Sequence, residues 1–392
     1  MFFYFRWYET IFLIISLCSF LISCSEKKDS NKTATQGLIK YELDTVMVDA
    51  GDEFIYVNWL LTSSGESQDD KFLYNFNRDA LTLQVIDLDQ LKLTKTIQHQ
   101  KEGPDGLGFG MISKIYDPGD GTLIYSDNYL ITRFDKEGNK LDGFRYADQS
   151  FVGEKLPDDK RILLNETISK DGNTLIALYG SKSVLDNTPD GLAIFDLENK
   201  TVEYKPLDIF KKLEKYQTVF YYNGEQPISA FGASIFLTYQ NDSLIYTNTA
   251  ENKAHFYNLK TDSLTSLSYV SRYTKPEAEV NYPKRTETEE EFKEVRKLTD
   301  KIVQYYQFLY DDKNQVYWRF SKDFDHMQGD QAIYKTVLTA FNPRFEQLGK
   351  VLLQDDFVLP YKIFVKNGMI YSFLNMEDEV AFVRLKPTIS HE

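Results

Sequence analysis

Beyond about residue 38 the chain is a succession of short β-prone runs, rich in aromatic and β-branched residues, separated by Gly, Asp and Asn. One unit recurs: a run, a turn and a second run, at 114–125 (KIYDPGDGTLIY), 166–179, 235–246, 307–318 and 362–371. Period-two alternation points successive side chains to opposite faces of a sheet, and the turn residues reverse the chain, so each unit is predicted to be a β-hairpin. Residues 54–76 carry the same two runs around a longer polar loop, TSSGESQDD. A further short strand follows each hairpin, at 83–89, 131–138, 192–199, 254–262, 338–347 and 380–387. Aligned on Tyr74, Tyr125, Ala177, Tyr246, Trp318 and Tyr371, the copies are spaced by 51, 52, 69, 72 and 53 residues. Repeats of roughly 40–50 residues mark propeller blades. The expected fold is therefore all-β: a six-bladed β-propeller of four-stranded antiparallel blades.

The ends and the irregular spacings refine this reading. The last copy has three strands, and the segment 39–48 (IKYELDTVMV) has no partner near the first copy. It is expected to pair as the outer strand of the final blade, which would remove an open seam. The two long intervals contain insertions at about 207–227 and 270–302. The second predicts one helix between blades 4 and 5: Thr288 and Glu291 form a capping pair, and Phe292, Val295, Leu298 and Ile302 make one apolar stripe. Both insertions enter outer-to-inner connections, which share a propeller face with the loops between second and third strands, so that face is expected to be decorated. The helix stripe is equally satisfied by packing on a blade edge.

The front of the chain sets the expected compartment. An apolar run at 11–23 is shorter than the roughly 18 residues a transmembrane helix needs, and suits a secretory segment. It closes on Leu21-Ile22-Ser23-Cys24, the pattern of a bacterial lipoprotein signal. Residues 1–23 are read as a signal peptide, and residues 24–37 as a lipidated Cys24 and a polar tether. Residues 38–392 are the propeller. Several acyl chains on Cys24 would anchor the protein stably. Ser25, where some lipoproteins carry Asp, favours the outer membrane. The two cysteines are Cys18 and Cys24, so the body lacks a thiol for a disulfide, a zinc cage or a nucleophile. Net charge is -14, which argues against nucleic acid as a partner, since that binding needs clustered Lys and Arg.

Catalytic motifs are sparse: no phosphate-cradling loop, nucleophile elbow, H-E-x-x-H or C-x-x-C occurs. His99 and His255 fall in predicted strands, His326 in a loop and His391 at the end, with no metal-ligand spacing. Acidic loop residues remain as candidates for a ligand face. They are Asp323, Asp325 and Asp330 around His326, Asp127 and Asn128 in the corresponding loop of blade 2, and Glu377 and Asp378 in that of blade 6. Carboxylates and amides converging on an axis could hold calcium; as turn residues, Asp and Asn also serve backbone geometry alone.

Two segments carry a resemblance. Ser169-Lys170-Asp171-Gly172-Asn173-Thr174-Leu175 resembles the S-x-D-G-x-x-L turn of six-bladed propellers of the broad TolB-like kind. The stretch Glu102-Gly103-Pro104-Asp105-Gly106-Leu107-Gly108 is similar to an E-G-P-x-G-x-G segment in an uncharacterised family of propeller lipoproteins from Gram-negative bacteria. The resemblance covers about residues 39–388 and implies fold and location, with no activity attached. The leading expectation is a non-enzymatic binding or scaffold module on the cell envelope, its partner a glycan, a peptide or another envelope protein. The alternative is a calcium-assisted hydrolase or lactonase using axial carboxylates.

Overall fold

The computed structural model describes residues 38–107, 112–127, 129–146, 151–183, 188–240, 242–354, 357 and 359–390. Among the described residues six sheets, each with four antiparallel strands at its heart, follow one another along the chain. Sheet 1 comprises Ser64–Glu66, Phe72–Asn77, Thr82–Asp87 and Lys92–Gln98; sheet 2 comprises Lys114–Tyr116, Thr122–Ser126, Leu130–Asp135 and Lys140–Arg145. Sheet 3 comprises Lys160–Ile168, Thr174–Ser181, Pro189–Asp196 and Thr201–Pro206, with a fifth strand, Val152–Gly153, added in parallel at its outer edge. Sheet 4 comprises Ile235–Gln240, Ser243–Asn248, Lys253–Asn258 and Ser263–Ser268; sheet 5 comprises Gln304–Asp311, Val316–Gln328, Gln331–Phe341 and Gln347–Leu352. Sheet 6 comprises Ile363–Lys366, Met369–Met376 and Glu379–Ser390, and its fourth strand is Leu38–Met47. The fold is all-β and propeller-like.

Sheet stacking explains the pattern of the strands. The second strand of sheet 3 buries Leu175, Ile176, Ala177 and Leu178 on both faces, so its alternation is lost and it reads as a continuous apolar run. The outer strand Lys92–Gln98 buries only Leu93 and Ile97, where one face meets a neighbour. Hydrophobic clusters span consecutive sheets: Phe76 with Tyr125 between sheets 1 and 2, Leu178 with Leu244 between 3 and 4, Trp318 with Ile370 between 5 and 6. Another joins Phe382 of sheet 6 to Leu73 of sheet 1.

Neighbouring sheets also touch in chain order. Gly65 lies so close to the first strand of sheet 2 that a Cβ there would sit 1.8 Å from the carbonyl oxygen of Ile115. Lys114 Nζ and Tyr116 Oη donate to the carbonyl of Glu166 in sheet 3 (2.6 and 3.1 Å). Tyr239 N of sheet 4 donates to Thr167 Oγ1 (3.3 Å), and Tyr305 N of sheet 5 to the carbonyl of Thr249 (2.9 Å). Lys313 Nζ of sheet 5 reaches the carbonyl of Asn367 in sheet 6 (3.2 Å), while Lys362 pairs with Glu66 of sheet 1 (2.7 Å).

The first copy differs from its sequence reading. The first strand of sheet 1, Ser64–Glu66, lies inside the stretch read as a loop, and Asn58–Leu61 is a distorted 3-10 turn with Trp59, Leu60 and Leu61 at positive φ. The cause is a side-chain-built turn: Ser67 Oγ donates to Asp69 Oδ1 (2.6 Å) and accepts from Phe72 N (2.8 Å). The turn at Ser169 repeats it, with Ser169 Oγ donating to Asp171 Oδ1 (2.5 Å) and accepting from Thr174 N (2.8 Å). The S-x-D turn thus occurs twice, and its first copy sets the hairpin several residues later than the apolar runs suggest.

His99 lies just past the outer strand of sheet 1, buried among Phe76, Tyr125 and Phe134, with Nε2 3.0 Å from Tyr125 Oη. Burial pushes its pKa down to about 4. The unfolded chain takes up this proton near pH 6.5 and the folded chain does so only near 4, so His99 supports the fold above that window. Stability is expected to fall by roughly 2 kcal/mol as pH drops from about 6.5 to 4. Urea unfolding across that range checks this; His99→Gln should flatten the slope, and an unchanged slope contradicts the assignment.

Candidate functional site

The acidic candidates from sequence occupy turn and strand positions that consume their oxygens locally. Asp127 is 2% exposed, and its Oδ1 accepts from Tyr129 N and Leu130 N, both at 2.7 Å. Burial raises its pKa above the ordinary carboxylate value, opposed by those two N–H bonds; nearby Glu166 raises it further and Arg145 opposes. Asn128, like Cys24 and His391, lies outside the described residues.

Asp323, Asp325 and His326 were expected in a loop, but they belong to the second strand of sheet 5. That hairpin keeps pairing to Gln328↔Gln331 because cross-strand contacts sustain it: Asp323 faces Lys335, Phe324 faces Tyr334, and Lys322 Nζ lies 4.5 Å from the Tyr334 ring. Asp325 sits at a bulge, where Lys335 and His326 Nδ1 (2.9 Å) hold its carboxyl below the usual range. Asp323 is buried and accepts from Lys275 N (3.0 Å) beside a cavity of about 210 Å³. Asp330 is exposed at the tip. Glu377 and Asp378 form the two-residue turn between Met376 and Glu379, both at positive φ, with Asp378 N donating to Asn375 Oδ1 (3.0 Å).

Apart from the sequence neighbours Asp325 with His326 and Glu377 with Asp378, these residues form no cluster among the described residues. Among the described residues no three His, Cys, Asp or Glu side chains group as a metal site. The converging oxygens that calcium takes are not assembled among the described residues.

The two insertions instead meet each other. Asp208–Tyr216 is a 3-10 helix that buries Phe210, Leu213 and Tyr216. The hairpin Thr218–Tyr222 and Gln226–Phe231 pairs in parallel with Arg285–Thr286 of the second insertion, forming a three-stranded sheet. The helix Glu289–Thr299 starts as its sequence indicates, with Thr288 Oγ1 accepting from Glu291 N (3.1 Å). Its Phe292 packs on Phe220 and Phe231 (5.4 and 5.1 Å between ring centres), while Leu298 stays 46% exposed. Phe292 of the stripe is therefore spent on the first insertion.

A large concavity lies elsewhere, over sheets 2 and 3. It is a half-open cleft of about 2130 Å³. Its walls come from the connection at Lys101–Gly106, the turn at Tyr129–Leu130, the outer strand of sheet 2, residues 151–158, the first strand of sheet 3 and residues 232–235. The E-G-P segment forms one lip: Gly106 N donates to the Gly103 carbonyl (3.0 Å) and Leu107 N to the Gln100 carbonyl (2.9 Å). A Cβ at Gly106 would lie 2.7 Å from the Glu102 backbone, so this turn requires glycine.

The lining reverses the charge of the whole chain. Lys101, Lys140, Arg145, Lys155, Lys160, Arg161 and Lys182 face it, against Glu102, Glu154 and Asp158. Lys160 pairs with Asp190 (2.8 Å), Lys140 Nζ donates to the Gly106 carbonyl (3.2 Å), and Arg161 Nε to that of Ser181 (3.3 Å). The side chains of Lys101, Arg145, Lys155 and Lys182 make no hydrogen bond or ion pair among the described residues, and Arg145 feels Asp127 only through space. Sequence reasoning missed this site because its cations are spread from 101 to 182; the E-G-P segment was the one signal pointing to it.

A family profile described as a domain of unknown function (DUF4221) matches residues 36–350. A solved DUF4221 protein from Bacteroides vulgatus is 15% identical, with a TM-score of 0.64 over 91% of this chain and 100% of that one. A candidate exported protein from Bacteroides fragilis is 11% identical, with a TM-score of 0.48 over 90% and 96% of the two chains. The WD40 domain of Neurospora crassa Pan2 gives 9% and 0.40 over 83% and 88%. No curated protein matches the chain.

Proposed function

Because this chain belongs to the DUF4221 family, a domain of unknown function, we propose its role from its own geometry: it is an exported, lipid-anchored envelope protein whose propeller binds a ligand in the cleft over sheets 2 and 3 without transforming it. The six sheets are read as six blades closed around an axis. Support comes from the contacts that pass from each sheet to the next and from sheet 6 back to sheet 1, and from the N-terminal strand completing sheet 6. Export and anchoring rest on the signal pattern ending at Cys24.

The observation that carries the binding role is the cleft itself. It is built by interstrand connections on a rigid sheet scaffold, the usual seat of recognition, and it gathers Lys101, Arg145, Lys155 and Lys182, whose side chains have no partner among the described residues, in an acidic protein. Gly143 lies in the cleft wall at ordinary strand φ, and a Cβ there meets nothing nearer than 3.4 Å. Gly143→Trp should therefore project a bulky ring into the cleft from a position whose backbone accepts a side chain. In affinity capture from detergent-solubilised envelope with the acylated protein as bait, this variant is expected to lose the ligand while its melting temperature holds. Capture of the same material by both proteins contradicts the assignment.

A further inference from the structure

We propose that the ligand of this cleft is a carboxylated polysaccharide, an inference that rests on reading the cleft as the binding site. Lys101, Arg145, Lys155 and Lys182 line one concavity with no hydrogen-bond or ion-pair partner among the described residues. Gathering like charges without neutralisation is unfavourable, and a bound polyanion relieves it. The volume of about 2130 Å³ is roughly twice the upper end of common small-molecule sites, about 1,000 Å³, which suits several units of a polymer. A concave wall does not match a flat bilayer surface.

The other lining features select among polyanions. Tyr129, 65% exposed, presents a ring at the wall. A uronic-acid unit offers that ring an apolar C–H face and the lysines a carboxylate from the same residue. An acidic peptide would add along a strand edge; the edges in this wall are the six-residue Lys140–Arg145, which poly-L-glutamate tests below, and Val152–Gly153, which is two residues long. The latter already spends Val152 N on the Lys200 carbonyl, with Glu154 N on that of Val202, leaving Gly153 as the one outward backbone unit. A single-stranded nucleic acid needs successive exposed ring platforms, and among the described aromatic residues of the cleft Tyr129 is the one more than half exposed.

The test uses the mature acylated protein in detergent and two probes of one shape, an oligogalacturonate and its methyl ester. The acid is expected to bind with an affinity that falls as salt rises, and the uncharged ester at least about tenfold more weakly. The double variant Lys155→Glu/Lys182→Glu should lose at least about tenfold for the acid, with its melting temperature unchanged. Absence of binding to the acid, equal binding of the ester, or equally tight binding of poly-L-glutamate or an oligothymidylate overturns the proposal. Gly143→Trp separates the two levels: if it abolishes equal binding of acid and ester, the cleft remains the site and the carboxylate requirement falls. If it leaves binding intact, both fall.

Discussion

Deleting Leu38–Met47 is expected to cost more than about 5 kcal/mol and to leave a chain that aggregates or is digested at 37 °C. The strand pairs with Glu379–Ser390 without interruption, from Leu38↔Ser390 to Met47↔Ala381. Ile39 is 2% exposed and packs with Leu309, Trp318 and Leu385, while Val46 packs with the cluster that joins sheet 6 to sheet 1. Tyr41 Oη accepts from Gln354 N (3.0 Å), and the Arg384 guanidinium grips the Asp44 carboxylate. Removing all this strips Leu385 and Ile370 of cover and exposes a twelve-residue strand edge, Glu379–Ser390, as a template for association. Ile39→Asp is the milder form, expected to cost about 3 kcal/mol by burying an unpaired charge. Urea unfolding followed by tryptophan fluorescence and limited proteolysis read both. A deletion variant with the parent midpoint would mean that this strand is dispensable to the fold.

That strand was legible because IKYELDTVMV alternates like a half-buried outer strand. The middle strands were legible for the opposite reason: sandwiched between sheets, they show unbroken apolar runs such as LIALY. What escaped were elements whose conformation comes from contacts rather than pattern. Ser64–Glu66 has no β-prone residue and is a strand because Gly65 nests against Ile115. Val152–Gly153 is a strand only because Thr201–Val202 offers a free edge. DFDHMQ at 323–328 looks like a polar loop, yet it continues the ladder because Lys335 and Tyr334 stand opposite.

The site divides in the same way. Acids in turns are the easiest chemical signal to see, and Asp127, Glu377 and Asp378 prove to lie in the turns between second and third strands. In Asp127 the carboxylate is committed to its own turn, so conspicuous chemistry and available chemistry part company. The cleft cations are inconspicuous in sequence, because they are scattered singly or in pairs from 101 to 182. They converge only because consecutive sheets bring the connections at 101–106, 151–158 and 182 to one wall.

Arg319→Met is expected to destabilise the protein by about 3–5 kcal/mol, the usual effect of breaking a buried, fully engaged charged group. Arg319 is 2% exposed and has no carboxylate partner among the described residues. Its Nε donates to the Tyr306 carbonyl (2.8 Å), Nη1 to Asn252 Oδ1 (3.2 Å) and Nη2 to the Glu251 carbonyl (3.3 Å). The plane also lies over the rings of Tyr305 and Phe308, 5.1 and 5.2 Å from their centres. One side chain thus ties the first two strands of sheet 5 to the 251–252 turn that follows the second strand of sheet 4. Burial lowers its pKa to about 10, still well above neutral pH, so it stays charged and depends on these acceptors. Methionine matches the stem and leaves three buried acceptors unpaired, which is where the cost arises. Arg319→Lys should fall between, because an ammonium cannot span three acceptors in one plane. Equilibrium urea unfolding decides: a methionine variant within about 0.5 kcal/mol of the parent would mean the junction between sheets 4 and 5 does not rest on Arg319.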